Sequence, residues 1–340
     1  MQRKTRILDM ASYLPEFELN NDELARIYPD WTADKIYLKT GIKSRRIASE
    51  SETAVDLAFN AASALFENGL VNRRDIDFII LCTQTPDYFL PTSACILQDR
   101  LGIPTSAGAL DVNLGCSGYV YGLSLAHGLI SSGSAKCVLL LTADTYTKLI
   151  HPHDKSVRTL FGDAAVATVL VESSAQDQSS IGSFVFGTDG SGANDLKVDA
   201  GGFRNLHADT DQKEVVDDSG NIRTSSNLQM NGAAIMAFSL TVVPKAFNLI
   251  LDKSGLNRDD FDFFVFHQAN KFMLDSLRKK LKIPEDKFPI LMESCGNTVS
   301  SSIPMALLEM RKSGQLVRGK RVMLLGFGVG LSWAGCVLNF

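Results

Sequence analysis

The sequence carries too little positive charge to have nucleic acid as its main partner. Its 34 Lys and Arg face 38 Asp and Glu, a net charge of -4 at pH 7, and phosphate binding needs a basic surface. The six cysteines, at 82, 95, 116, 137, 295 and 336, form no Cys-x-x-Cys pair. Neither zinc nor a thioredoxin-like motif is supported, and no metal is expected. The opening MQRKTRILDMASYLP lacks an apolar run of signal-peptide or membrane-spanning length. No membrane partner is expected, and cysteines set in apolar runs suit free thiols of a reducing cytoplasm. A dinucleotide-binding fingerprint is missing too. Phe161-Gly-Asp163 and Gly326–Gly330 are glycine-rich, but neither has the strand-to-helix context of a phosphate loop.

What is present is 340 residues, 45% apolar and 21% charged, enough for two domains or two packed halves. Apolar runs at Thr5–Met10, Phe78–Cys82, the opening of Ala109–Leu129, Val138–Thr142 and within Phe161–Val171 read as strands. Helical patterns fall at Asn21–Tyr28, Glu52–Asn68 and Pro91–Leu101. This alternation predicts an α/β fold with a mostly parallel sheet covered on both faces. Residues 187–228 are rich in Gly, Asp and Ser and predict an elaborated surface region, not a third domain.

The chain also repeats itself. Asn72-Arg-Arg-Asp-Ile-Asp-Phe-Ile-Ile-Leu-Cys82 matches Asn257-Arg-Asp-Asp-Phe-Asp-Phe-Phe-Val-Phe-His267 at a shift of 185. Leu101-Gly-Ile-Pro104 matches Leu281-Lys-Ile-Pro284 at 180, and Lys136–Leu141 matches Lys320–Leu325 at 184. Three matches in one order at nearly one offset imply two copies of one α/β unit about a pseudo-two-fold axis. The halves are expected at 1–175 and 176–340, with a site at their seam.

Cys116 lies in Gly115-Cys-Ser-Gly118, where a small-residue helix should begin. Helix-start N–H groups favour thiolate over thiol, although many intracellular cysteines are only small buried apolar residues. His267 ends the second-copy strand, at the sheet edge where sites collect. The offset from Pro284 sets Asn297 at the start of a helix mirroring that of Cys116. His267 as a strand cap and Asn297 as a helix N-cap are the bland alternatives. Together the three supply a soft nucleophile, an imidazole donor and a neutral amide donor, the parts for acyl transfer through a thioester.

These residues carry a resemblance that runs along the whole chain. Its pieces are Thr40–Ala48, Thr83–Tyr88 with Pro91, Asp111–Tyr121, Phe161-Gly-Asp163, His267-Gln-Ala-Asn270, Gly296-Asn-Thr298 with Ser302-Ile-Pro304, and Gly326-Phe-Gly328 to Trp333. In that order they resemble the β-ketoacyl-acyl-carrier-protein synthase III family of thiolase-fold condensing enzymes. The resemblance implies mixed sheets in an αβαβα layering. It implies a two-step acyltransferase of fatty-acid or related acyl-chain synthesis: Cys116 takes an acyl group, then a malonyl thioester condenses with loss of CO2. His267 and Asn297 would stabilise the enolate. Backbone N–H groups of Cys116 and of Gly328 or Val329 would form the oxyanion hole. Substrates would be acyl-CoA or acyl-carrier protein and malonyl-carrier protein, with no cofactor. Partners would be acyl carrier protein and a second copy, docked through Thr83–Cys95 or the strand ending Cys137–Thr142.

The sequence departs from the family pattern in telling places. The Trp and Arg that clamp the CoA adenine are Lys35 and Lys155 here, which points to a carrier-borne donor or to CoA bound in another way. Phe161, Asn270 and Leu90 fall at substrate-binding positions, and Leu90 suggests an altered acyl pocket. Lys271, Arg278, Lys279 and Lys280 read equally as a carrier-protein dock or a solvated helix face. Val329 replaces a glycine, which implies strain if the position needs positive φ. The competing readings are acyl transfer from Cys116 to a hydroxyl or amine of a secondary metabolite or sugar, an inactive subunit, and a thiolase proper.

Overall fold

Polar caps and Gly stops cut the chain into elements. The computed structural model describes residues 4–174, 179–206 and 213–340. The first half runs β1 (Thr5–Tyr13), β2 (Phe17–Asn20), α1 (Asn21–Ile27), α2 (Ala33–Thr40), β3 (Ser44–Ile47), α3 (Ala54–Glu67), β4 (Phe78–Cys82), α4 (Ser93–Arg100), β5 (Gly108–Val112), α5 (Gly118–Ser131), β6 (Cys137–Asp144), α6 (Lys155–Arg158) and β7 (Ala164–Glu172). The second runs β8 (Ser180–Thr188), β9 (Leu196–Val198), β10 (Val215–Val216), β11 (Ile222–Arg223), β12 (Leu228–Met230), α7 (Gly232–Ser254), β13 (Phe263–Phe266), α8 (Lys271–Leu281), α9 (Ser302–Lys312), β14 (Arg321–Gly328) and β15 (Ser332–Asn339). Asn20 and Thr53 start α1 and α3 through capping boxes with Glu23 and Asp56. Gly255, at φ 69°, ends α7 in the left-handed region that glycine tolerates.

Two mixed sheets result, not the mostly parallel one that the alternation predicts. The first has the order β1-β7-β6-β4-β5. β4 lies parallel to β5 and β6, but β7 runs antiparallel to both β6 and β1. The second has the order β13-β14-β15-β8, with only β13 and β14 parallel. The connections explain this. A parallel crossover needs a dozen or more residues, usually a helix. β14 and β15 are joined by the short turn Val329–Leu331. The 145–163 link between β6 and β7 is longer, but it holds only a 3-10 turn and the four-residue α6, with no crossover helix to cover a sheet face.

The sheets have the same plan. β8, β15, β14 and β13 pair in the order and sense of β1, β7, β6 and β4. The segment offset by 180 from β5, Phe288–Met292, forms no strand, and Pro289 within it has no N–H to give a ladder. α3 and α4 cover the outer face of the first sheet, and α7 and α8 that of the second. α5 touches both sheets from between them, with α9 beside it. This is the αβαβα layering. α5 packs closely because Gly118 and Gly122 face Cys82 and Leu140, where a Cβ would come within 2.2 and 2.5 Å.

α7 is 23 residues long and apolar enough to cross a membrane by length and composition. Here it buries Ile235, Phe238, Val242, Val243, Phe247 and Ile250 against the second sheet. The described part of 187–228 pairs β9 with β12 and folds β10–β11 as a hairpin. Arg223 of that hairpin pairs with buried Asp154, the cap of α6, and with Asp217 at 3.0 Å. The expected boundary at 175/176 lies outside the described residues.

Candidate active site

Cys116 sits in the turn between β5 and α5, with its side chain 6% exposed. The second half closes over it. A Cβ at Gly326 would lie 2.6 Å from the Cys116 carbonyl oxygen, and one at Gly328 would lie 2.7 Å from Sγ. Only glycine lets β14 approach this closely. Ser117 and Ser332 share a 2.7 Å hydroxyl hydrogen bond across the seam.

The helix start does not make Cys116 a ready thiolate. Burial pushes its thiol up to about 12, with the Asp144 carboxylate adding to the rise. The backbone N–H groups of Val329 and Cys116 act in the opposite direction. A helix terminus is worth at most about 2 kcal/mol, roughly 1.5 pKa units. That is too little to restore a thiolate at neutral pH.

His267 follows β13 directly and is 2% exposed. Phe327 meets its ring edge-to-face at 5.7 Å. Burial lowers its pKa to about 3, so the imidazole stays neutral at physiological pH. Nδ1 is 2.7 Å from the Ser302 hydroxyl. Asn297 bridges Phe161 through backbone hydrogen bonds to Leu160 and Gly162. Its Oδ1 accepts the Val299 N–H at 3.0 Å, leaving the amide NH2 to act as donor. The helix expected at Asn297 begins later. A 3-10 turn, Val299–Ser301, comes first, and Val299 has φ 52°, strained for a β-branched residue. Val329, by contrast, is not in the positive-φ region; Gly330 takes that conformation at φ 77° and Leu331 at φ 44°.

Cys116, His267 and Asn297 line one cavity of about 70 Å³ with Phe161, Asn270 and Gly328. Leu160, Leu196, Met230, Ile235 and Met273 make its apolar walls. A larger cleft of about 540 Å³, lined in part by Thr85, Tyr88, Phe89 and Leu149, holds none of the three. Gln84 lines that cleft and also reaches the Gly115 turn, and it accepts the Tyr146 hydroxyl.

The remaining residues singled out in the sequence lie away from this cavity. Lys35 donates to the Asp30 carbonyl at 2.9 Å, and its Nζ sits 5.5 Å from the centre of the Trp31 ring. Lys155 donates to the Ser219 carbonyl at 2.5 Å. Leu90 is 80% exposed and precedes a cis Pro91. Asn270, which does line the cavity, also caps α8 through the Met273 N–H. Lys271 pairs with Asp275 at 2.6 Å, and Arg278 lies 3.6 Å from Glu285. Lys279 and Lys280 are exposed, but at 100° per residue Lys280 points nearly opposite to Lys271. Strand β6 is paired on both sides, so Cys137–Thr142 offers no open edge to a second copy.

The sequence reading passed over Asp144, Ser300 and Ser301, and took Ser302 only as part of a motif without a role; all four are buried. Ser300 donates to Asp144 at 2.5 Å, Ser301 meets Thr142 at 2.9 Å, and Ser302 meets His267. Three successive hydroxyls beside an expected catalytic Asn were the available signal.

The chain is similar to known proteins along its whole length. Residues 110–190 match the family profile of 3-oxoacyl-[acyl-carrier-protein] synthase III, and 251–340 match its C-terminal profile. The chain is 38% identical over 340 residues to β-ketoacyl-[acyl-carrier-protein] synthase III of Clostridioides difficile strain 630, covering 100% of this chain and 99% of the relative. A crystal structure of a 3-oxoacyl-(acyl-carrier-protein) synthase III is 62% identical, with a TM-score of 0.97, covering 99% of this chain and 100% of that one. The synthase from Burkholderia xenovorans LB400 is 36% identical with a TM-score of 0.90, covering 99% and 94%. The chain belongs to the β-ketoacyl-acyl-carrier-protein synthase III family of thiolase-fold condensing enzymes.

Proposed function

We propose that Cys116 carries the acyl group between two half-reactions of a decarboxylative condensation. Its sulfur attacks a thioester carbonyl and the donor thiol leaves. The N–H groups of Cys116 and Val329, which face the sulfur, would receive the oxyanion, and Gly328 leaves room for it. A malonyl thioester then loses CO2, its carbanion attacks the acyl-cysteine carbonyl, and the acyl–sulfur bond breaks: a 3-ketoacyl product is released while Cys116 leaves as thiolate and takes up a proton. His267 and Asn297 donate to the malonyl thioester carbonyl, where negative charge develops. The observation that carries this reading is the shared cavity, in which a buried thiol meets a neutral imidazole and an amide donor. Neutral donors suit an enolate-like transition state. The reaction needs no cofactor beyond its thioester substrates.

Intact-protein mass spectrometry with a panel of donors tests the reading. An acyl adduct is expected, and Cys116→Ala should abolish it. His267→Ala and Asn297→Ala should retain the adduct and lose CO2 release from malonyl-carrier. An acylated hydroxyl or amine acceptor formed without CO2 would overturn condensation.

The acyl donor is read as carrier-borne. Lys35 and Lys155 are each engaged by a backbone carbonyl, and a lysine pair supplies no stacking clamp for adenine. Clearly faster loading from the matched acyl-CoA would sink this. Exposed Lys279 and half-exposed Lys271 support docking of an acidic carrier protein, whereas Lys280 lies on the opposite side of α8 from Lys271. Phe161, Asn270 and the apolar walls would guide the substrate arm.

A homodimer is supported by β5, which pairs only with β4 among the described strands, and by the apolar patch of Tyr88, Phe89, Leu90 and Phe203. The matching sheet plans support halves dividing near 175/176. Free cysteines suit a cytoplasmic setting.

A further inference from the structure

We infer that Ser302 is a positioning residue: its hydroxyl donates to Nδ1 of His267 and holds the imidazole as the Nε2–H tautomer. This inference rests on the condensation reading for its purpose, but not for its geometry.

A neutral imidazole has one N–H and one bare nitrogen, and the partner of one fixes the role of the other. The only hydrogen-bond partner of the His267 ring among the described residues is Ser302 Oγ, at 2.7 Å from Nδ1. The Gln268 N–H points to the same oxygen at 3.4 Å and uses one of its lone pairs. The hydroxyl proton of Ser302 has no other acceptor among the described residues, so it goes to Nδ1. Nε2 then carries the ring proton and is the nitrogen left to serve the cavity that His267 lines with Cys116 and Asn297. The opposite tautomer would offer a bare nitrogen to a developing oxyanion.

The surrounding turn holds this arrangement from several sides. Ser300 is tied to Asp144, and Ser301 to Thr142, both on β6 of the other half. The Val299 N–H fixes the carbonyl oxygen of Asn297. One turn, Val299–Ser302, therefore orients both donors of the proposed decarboxylation step.

The test uses full-length protein labelled with 15N-histidine, with His267→Gln to identify the His267 signals. The wild type is expected to show a protonated Nε2 and a bare Nδ1. Ser302→Ala should lose that single-tautomer signature, and CO2 release from malonyl-carrier should fall about tenfold to a hundredfold, the range known for hydrogen-bond partners that orient metal-binding histidines. Loading of Cys116 should stay within about threefold of wild type, which also shows that the variant folds. Ser302→Thr, which keeps the hydroxyl, should recover the signature and most of the rate. A protonated Nδ1 in the wild type would overturn the assignment. So would a loading-competent Ser302→Ala that keeps wild-type tautomer and decarboxylation. If wild type loads no acyl group from any donor, the condensation reading falls, while the tautomer stands or falls on the nitrogen shifts alone.

Discussion

Burial controls the chemistry of Cys116. Because its thiol sits up at about 12, the thiolate fraction should rise tenfold per pH unit through the neutral range. Alkylation of Cys116 by iodoacetamide, followed by mass spectrometry from pH 6 to 9, should therefore show no plateau; a plateau near pH 7 would mean that the helix start dominates. Asp144 is itself raised to about 7 by burial, and its charged form raises the thiol further. Asp144→Asn should speed alkylation roughly threefold to tenfold at pH 8. The difference should vanish below about pH 6, where Asp144 is already neutral. Gly328 sets a second limit. A Cβ there would meet Sγ at 2.7 Å, with no flexible side chain to yield, so Gly328→Ala should cut acyl loading more than a hundredfold while circular dichroism stays native.

At the scale of elements, the β2–β3 ribbon is fastened to the site's support by a buried cation. Arg45 of β3 is fully buried and donates to the Leu19 carbonyl, Asn21 Oδ1 and the Thr159 carbonyl. Burial lowers its pKa to about 10, with Arg158 nearby acting in the same direction. Its side chain lies beneath Gly162 and Gly296, on either side of the Phe161–Asn297 bridge. Arg45→Met keeps the bulk but strands three acceptors. Relief of a desolvated charge offsets part of that loss, so urea unfolding should report a destabilisation of about 2–4 kcal/mol. The sequence showed the turn at Gly41 and the basic residues after it, but not that one of them is interior. Charge normally signals surface, and only the carbonyls of distant elements make this burial tolerable.

For the whole molecule, the exposed patch and the open edge of β5 belong together. Phe89 and Phe203 pack as tilted rings at 5.4 Å while remaining 67% and 82% exposed, an arrangement that water disfavours. Leu90→Asp combined with Phe89→Asp is expected to shift the protein from dimer to monomer in analytical ultracentrifugation at micromolar concentration. A wild type that sediments as a monomer would remove this surface from consideration.

Much of the architecture was legible in the chain. The repeat between Asn72–Cys82 and Asn257–His267 exposed the duplication, because each strand needs the same apolar run to fill the same place in its sheet. Strand β4 was read with its true ends, since Asp77 and Thr83 bound five apolar residues. Strand direction was not legible, because β7 and β15 read like any other buried strand; β15 follows a three-residue turn, and β7 follows a link with no crossover helix. The missing partner of β5 turned on a single proline. At the site, Cys116, His267 and Asn297 could be named from local motifs and one offset, because duplication ties positions in one half to those in the other. The protonation state of Cys116, the neutrality of His267 and the roles of Asp144 and Ser302 could not. They depend on desolvation and hydrogen bonds between residues as far apart in the chain as Cys116 and Val329, and those come into being only when the two halves close on each other.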